Sequence, residues 1–138
     1  MAGTNAVLGG GGFHHVAMKA KDFDAAVKFY KALGFTERIS WGQGDNRAVM
    51  LDAGDGNYLE IFAGGSADPK PEGTVVHFAL RTGNCDAAIA AARAAGAQVT
   101  MEPKNVDIPS QPHKTPVRIA FCRGPGGEVI EFFQNELT

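Results

Sequence analysis

Four side chains in this sequence have the types and the spacing to hold a metal ion: His15, Glu60, His77 and Glu131. Neutral imidazole nitrogen and carboxylate oxygen together suit divalent first-row metals. The two acids sit in apolar runs, Glu60 in "NYLEIF" and Glu131 in "EVIEFF". Taking a carboxylate out of water costs several kcal/mol unless a cation receives it. A bound metal ion is one such cation; Lys19 and Arg81 are others.

The four recur in register. His77 follows His15 by 62 residues, and the same offset carries Ala17, Asp24, Ala25, Ala26, Ala32 and Gly34 onto Ala79, Asp86, Ala87, Ala88, Ala94 and Gly96. Glu131 lies 71 residues after Glu60, with "GNYLEIF" over "GEVIEFF". A unit of about 60 residues therefore occurs twice, at about 13–66 and 73–135. The second unit is longer, and the excess falls to the Pro-rich stretch 102–116, read as a loop that is either a lid or a long connection.

Each unit reads as strand, helix, then three strands. In the first helix Asp22 is the N-cap, Phe23, Ala26, Val27, Tyr30 and Leu33 share a face at 3.6 spacing, and Gly34 takes the left-handed place after the end. The second helix starts near Asp86, carries Ile89, Ala92 and Ala95, and stops at Gly96. Strands are expected near 13–20, 36–42, 47–53, 58–63, 74–81, 97–101, 117–122 and 128–134. The fold class is α+β.

Alternation along the strands then sorts the faces. Val16, Met18 and Ala20, with Val76, Phe78 and Leu80, should bury against the helices, as should Leu59, Ile61, Ile130 and Phe132. His15, Glu60, His77 and Glu131 fall on the opposite surface. Lys19 and Arg81 lie further along the same surface, roughly 13 Å from the histidines at about 3.3 Å per residue. There they either line a cavity and meet an anionic group of a substrate, or reach solvent at the strand ends. His14 faces the helices as a core or rim histidine, and His113 sits solvated in the Pro-rich loop. Trp41 and Tyr58 are cavity wall or core. "GPGGE" at 124–128 lies between two strands, so it is a hairpin turn and not a phosphate loop.

Composition bounds the partners. The chain has 138 residues, 44% hydrophobic and 20% charged, with a net charge of −2 and no basic run. That profile fits a globular protein and argues against nucleic acid or an anionic membrane surface as the main partner, and the small-molecule substrate expected instead follows from the family resemblance given below. No apolar stretch approaches the roughly 20 residues of a membrane span. Residues 1–12 read as a flexible leader without the marks of a signal peptide, ahead of a single domain at 13–138. Cys85 and Cys122 fit no metal spacing and are expected as reduced thiols in a cytoplasm.

With "HHVAMKAKDFDAAVKFYKALGF", "NYLEIF", "VVHFAL" and "RIAFCRGPGGEVIEFF", the chain resembles the vicinal oxygen chelate superfamily, which includes glyoxalase I, bleomycin-resistance proteins, fosfomycin thioltransferases and extradiol dioxygenases. The resemblance implies paired βαβββ modules forming a U-shaped, barrel-like mixed sheet with helices on the outer face, and often a homodimer. The His, Glu, His, Glu order resembles glyoxalase I, since dioxygenases and fosfomycin enzymes lack a glutamate where Glu60 stands. It implies His15, Glu60, His77 and Glu131 as ligands of one divalent ion (Ni, Co, Zn, Mn or Fe), Glu131 as main proton-transfer base and Glu60 as its counterpart. It implies a lyase or isomerase acting on an α-oxo, possibly thiol-conjugated, substrate. The family's glutathione-gripping arginine falls at Lys19, and its asparagine near Gly64, so that grip is not reproduced. The other readings are a thioltransferase or dioxygenase, or a non-catalytic, ligand-sequestering resistance protein.

Overall fold

Two polar side chains open the two helices. The computed structural model describes residues 4, 6–9, 13–66 and 75–138. In it the carboxylate of Asp22 accepts from the Ala25 N–H at 2.9 Å, and the amide oxygen of Asn84 accepts from the Ala87 N–H at 3.0 Å. Each cap satisfies a donor the first turn would otherwise leave orphaned, worth about 1 kcal/mol. Gly34 and Gly96 follow the helix ends at φ of +89° and +99°, a conformation side chains disfavour.

The chain divides into two compact units, Met1–Ser66 and Ala67–Thr138. The first runs β1 (His15–Lys19), α1 (Phe23–Ala32), β2 (Thr36–Trp41), β3 (Ala48–Asp52) and β4 (Tyr58–Phe62). The second runs β5 (Phe78–Arg81), α2 (Cys85–Ala94), β6 (Gln98–Ile108), β7 (Thr115–Arg123) and β8 (Val129–Gln134). Each unit is thus a βαβββ module. The strand orders are β1-β4-β3-β2 and β5-β8-β7-β6. In both sheets the first strand pairs parallel with the last and every other pairing is antiparallel.

Each sheet buries its inner strands under its helix. Ala26, Phe29 and Tyr30 of α1 are buried, as are Val49, Leu51, Leu59 and Ile61 on the inner strands. In the second unit Cys85, Ile89 and Ala92 of α2 are buried, with Val117, Ala120, Cys122, Ile130 and Phe132. A fully buried Ile such as Ile61 or Ile130 contributes about 1.5–3 kcal/mol. Two ties lock α2 to its sheet. The side-chain oxygen of Gln134 accepts from the Cys85 N–H at 2.8 Å, and Arg118 donates twice to Asp86, at 2.6 and 2.8 Å.

Several expectations need correction. Val16 and Val76 are not buried; they are 40% and 54% exposed, because they lie on or beside the edge strands β1 and β5, beyond the strands the helices cover. The helix faces include Phe29 and Cys85, and α2 starts one residue before Asp86. Residues 75–77 precede β5 instead of belonging to it, and residue 74 lies outside the described residues. One 3-10 turn, Ala6–Leu8, precedes β1 and does not bear on the expected leader.

The largest difference is at 102–116. Most of it is strand: β6 and β7 extend into a long hairpin and leave 109–114 as its turn. Two of its prolines sit at irregular or unpaired places in the ladders, where proline is tolerated. Pro103 falls in the register shift between Met101 and Lys104. Pro116 lies beyond the end of the β7/β8 pairing, which stops at Arg118↔Gln134.

Candidate functional site

The parallel pairing sets a diagonal relationship. Ala17 is the register partner of Glu60, and His15 lies two residues before Ala17 on the same face. With only a methyl at Ala17, the His15 ring reaches across, and its Nε2 stands 3.5 Å from Glu60 Oε2. The second unit repeats the arrangement. Ala79 is the partner of Glu131, and His77, two residues earlier, brings Nε2 to 3.0 Å from Glu131 Oε2. Diagonal neighbours in a sheet are within reach of long side chains, and in both units the intervening residue is alanine.

Both acids are buried, each 8% exposed, while their histidines open to solvent. The Glu131 carboxyl is pushed above the usual glutamate range by burial, an effect that the neighbouring His77 partly offsets. The His77 ring also meets Phe121 edge-on, with centroids 5.4 Å apart. The partners of the buried acids are thus the histidines of the same repeat.

The couples fit a metal ion as far as two donors can. Ligands about 2.1 Å from a metal and at right angles to one another stand about 3 Å apart, and the two N···O separations are 3.5 and 3.0 Å. The 3.0 Å separation in the second unit also fits a proton on Nε2 shared with the carboxylate, whereas 3.5 Å in the first is longer than an ordinary hydrogen bond. Within either unit, among the described residues, no group of three or more His, Cys, Asp or Glu side chains gathers around one point.

The remaining candidates fall as follows. Lys19 and Arg81 end β1 and β5, exposed, in register with Phe62 and Phe133. His113 is exposed, with Nδ1 3.3 Å from the Lys114 carbonyl. Trp41, 44% exposed at the end of β2, meets the Phe62 ring edge-on. His14 is exposed, not in the core. Its Nδ1 stands 3.0 Å from His15 Nδ1, and its ring lies against Tyr58 with centroids 5.1 Å apart. Sequence alternation missed this contact because it took residue 14 as strand, whereas β1 begins at His15.

No helix among the described residues is long and apolar enough to cross a membrane. A curated relative, the uncharacterized protein YwbC of Bacillus subtilis, is 30% identical over 126 residues, covering 88% of this chain and 95% of its own. Solved structures with the same fold include TnmS3, an antibiotic binding protein from a Streptomyces species, at 22% identity and a TM-score of 0.67, covering 91% of this chain and 97% of that one. A glyoxalase I variant from Zea mays aligns at 21% identity and a TM-score of 0.68, over 88% of this chain and 43% of that one. At these identities the two structures testify to fold alone. Residues 12–132 match the model of one family, and the chain belongs to it: the glyoxalase/bleomycin resistance protein/dioxygenase superfamily.

Proposed function

We propose that the chain is a divalent-metal-dependent lyase or isomerase of the glyoxalase I type, moving a proton between adjacent carbons of a small α-oxo substrate, thiol-conjugated or free. One observation carries the reading: the same diagonal His–Glu couple occurs once in each repeat, across an alanine both times. His15, Glu60, His77 and Glu131 are the ligands, and Ni, Co, Zn, Mn or Fe all suit such a donor set. When bound, the metal supplies a Lewis acid for the substrate's carbonyl oxygens.

The chain's own groups do the rest. Glu131, whose proton affinity burial has raised, takes the proton from the carbon beside the carbonyl and returns it to the neighbouring carbon. Glu60 is its counterpart. Lys19 and Arg81 receive an anionic group of the substrate. The protein works as a homodimer in the cytoplasm.

Elemental analysis of the purified protein, followed by a hemithioacetal isomerase assay with each metal restored, tests the proposal. The expected result is stoichiometric metal and turnover that a chelator abolishes. Metal without isomerase activity would move the assignment to another reaction of the superfamily, such as thiol transfer or ring cleavage. A second reading, a metal-free ligand-binding protein, is favoured by the limit of two donors per unit among the described residues and by the shared fold with TnmS3, an antibiotic binding protein. No metal uptake under any condition would select it.

A further inference from the structure

The contact between His14 and His15 has a chemical consequence of its own. Their Nδ1 atoms are 3.0 Å apart. Two neutral imidazoles at that distance share one hydrogen: one ring donates and the other accepts. At the far side of the His15 ring, Nε2 faces the buried carboxylate of Glu60 at 3.5 Å. With no cation between them, the form with the hydrogen on Nε2 is favoured, because a lone pair facing a carboxylate is repulsive. His15 Nδ1 is then bare, and His14 is the donor. With a cation on Nε2, the lone pair must be there, His15 Nδ1 carries the hydrogen, and His14 becomes the acceptor.

We infer that His14 is a positioning residue that switches between donor and acceptor to let His15 change tautomer, and so prepares His15 Nε2 for a cation. The metal half of this inference rests on the proposed function; the tautomer half does not. His14 is suited to the task. Its carbonyl accepts from the Tyr58 N–H at 2.8 Å, and its ring lies against the Tyr58 ring, so the imidazole is held beside His15. The residue is exposed, so its outer nitrogen can trade hydrogen with water. The switch balances: the bridging hydrogen passes from His14 to His15, His15 Nε2 loses one to solvent, and His14 Nε2 gains one. Both rings are neutral before and after. The repeat does not share the device. The residue equivalent to His14 is Val76, which has no ring nitrogen, so the two histidines of the candidate site are prepared differently. A partner that orients a ligating imidazole and fixes its tautomer is worth about 10- to 100-fold in metal affinity.

The test is nitrogen NMR of the imidazoles, with Zn2+ as a diamagnetic probe, on the whole chain. In metal-free protein His15 should be in the Nε2–H form and should move to the Nδ1–H form with Zn2+. His14→Ala should leave metal-free His15 as a mixture of tautomers and weaken Zn2+ binding by about 10-fold or more, without altering the His77 signals. His14→Gln, whose amide can donate or accept, should restore both. Unchanged His15 signals in His14→Ala would overturn the inference. Should the wild type bind no Zn2+, the metal reading fails, and the metal-free tautomer still decides the role of His14.

Discussion

Ala79 and Glu131 are register partners across the parallel β5/β8 pair, and the absence of a longer side chain at Ala79 is what lets His77 reach the carboxylate at 3.0 Å. Ala17 stands in the same relation to Glu60 and His15. Diagonal neighbours across a strand pair are about 7–8 Å apart, within reach only of long or aromatic side chains. Two alanines at equivalent places keep both diagonals open.

Ala79→Leu should therefore separate His77 from Glu131 without unfolding the protein. Ala79 is exposed, so the stability change should stay within about 0.5–1 kcal/mol. Metal affinity, measured by calorimetry, should fall about 10-fold or more, as for loss of a ligand's positioning. Ala79→Ser is small enough to leave the diagonal open and should bind as the wild type does. Equal affinity in the Leu variant would remove the diagonal couple from the metal site.

Glu131→Gln sets function against stability. Burial raises the pKa of Glu131 in the folded protein, so in the window between the ordinary glutamate value and that raised value the native state holds more protons than the unfolded one. Stability contributed by the protonated carboxyl is present below that window and is lost as pH rises through it. Glutamine has no such loss. The Tm of the metal-free variant should match the wild type in acid and exceed it by a few degrees above the window, while isomerase turnover disappears. A Tm gap that stays constant with pH would show that the carboxylate is not strained by burial.

Much of this is legible in the sequence. Helical period and the glycine after each end locate α1 and α2, although the α2 cap Asn84 goes unread, and strand alternation puts His15 with Glu60, and His77 with Glu131, on one face. Alternation does not contain register, however. That His15 lies two residues before the partner of Glu60, and not opposite it, depends on the β1/β4 pairing. The long β6/β7 hairpin is hidden because prolines read as breakers, although Pro103 falls in a register shift of β6/β7 and Pro116 lies beyond the end of β7/β8. Alternation would turn His14 to the helix side only if it lay in the strand, and the strand begins one residue later. Exposure of Val16 and Val76 reflects the limited width of one helix, which hydrophobic pattern alone does not report.

The helix caps offer a stability test that leaves the candidate site alone. Asp22→Ala and Asn84→Ala each remove the acceptor for one first-turn N–H. Each should lower stability by about 1 kcal/mol in denaturant melts, with metal binding unchanged. A loss below a few tenths would mean that water replaces the cap without penalty.

Both cysteines belong to the second unit and both are fully buried, Cys122 in β7 and Cys85 at the start of α2. Burial, reinforced by the Glu128 charge, pushes the Cys122 thiol up to about 11; burial raises Cys85 as well. At pH 8 a thiol of that pKa is only about 0.1% thiolate, the form that reacts. In native protein both should react with a disulfide reagent only through opening of the second unit, far more slowly than in denaturant. Because the folded pKa of Cys122 is raised, its contribution to stability is intact below the unfolded value and drains away as pH climbs toward about 11. Labelling should thus accelerate over that range beyond the intrinsic rise in thiolate. If His77 and Glu131 hold a metal, a saturating ion at 100 times its dissociation constant should slow labelling about 100-fold, equivalent to about 2.7 kcal/mol. Rapid labelling of the native protein at pH 8 would contradict the burial of these thiols. Labelling that ignores added metal would place the ion, if one binds, away from the second unit.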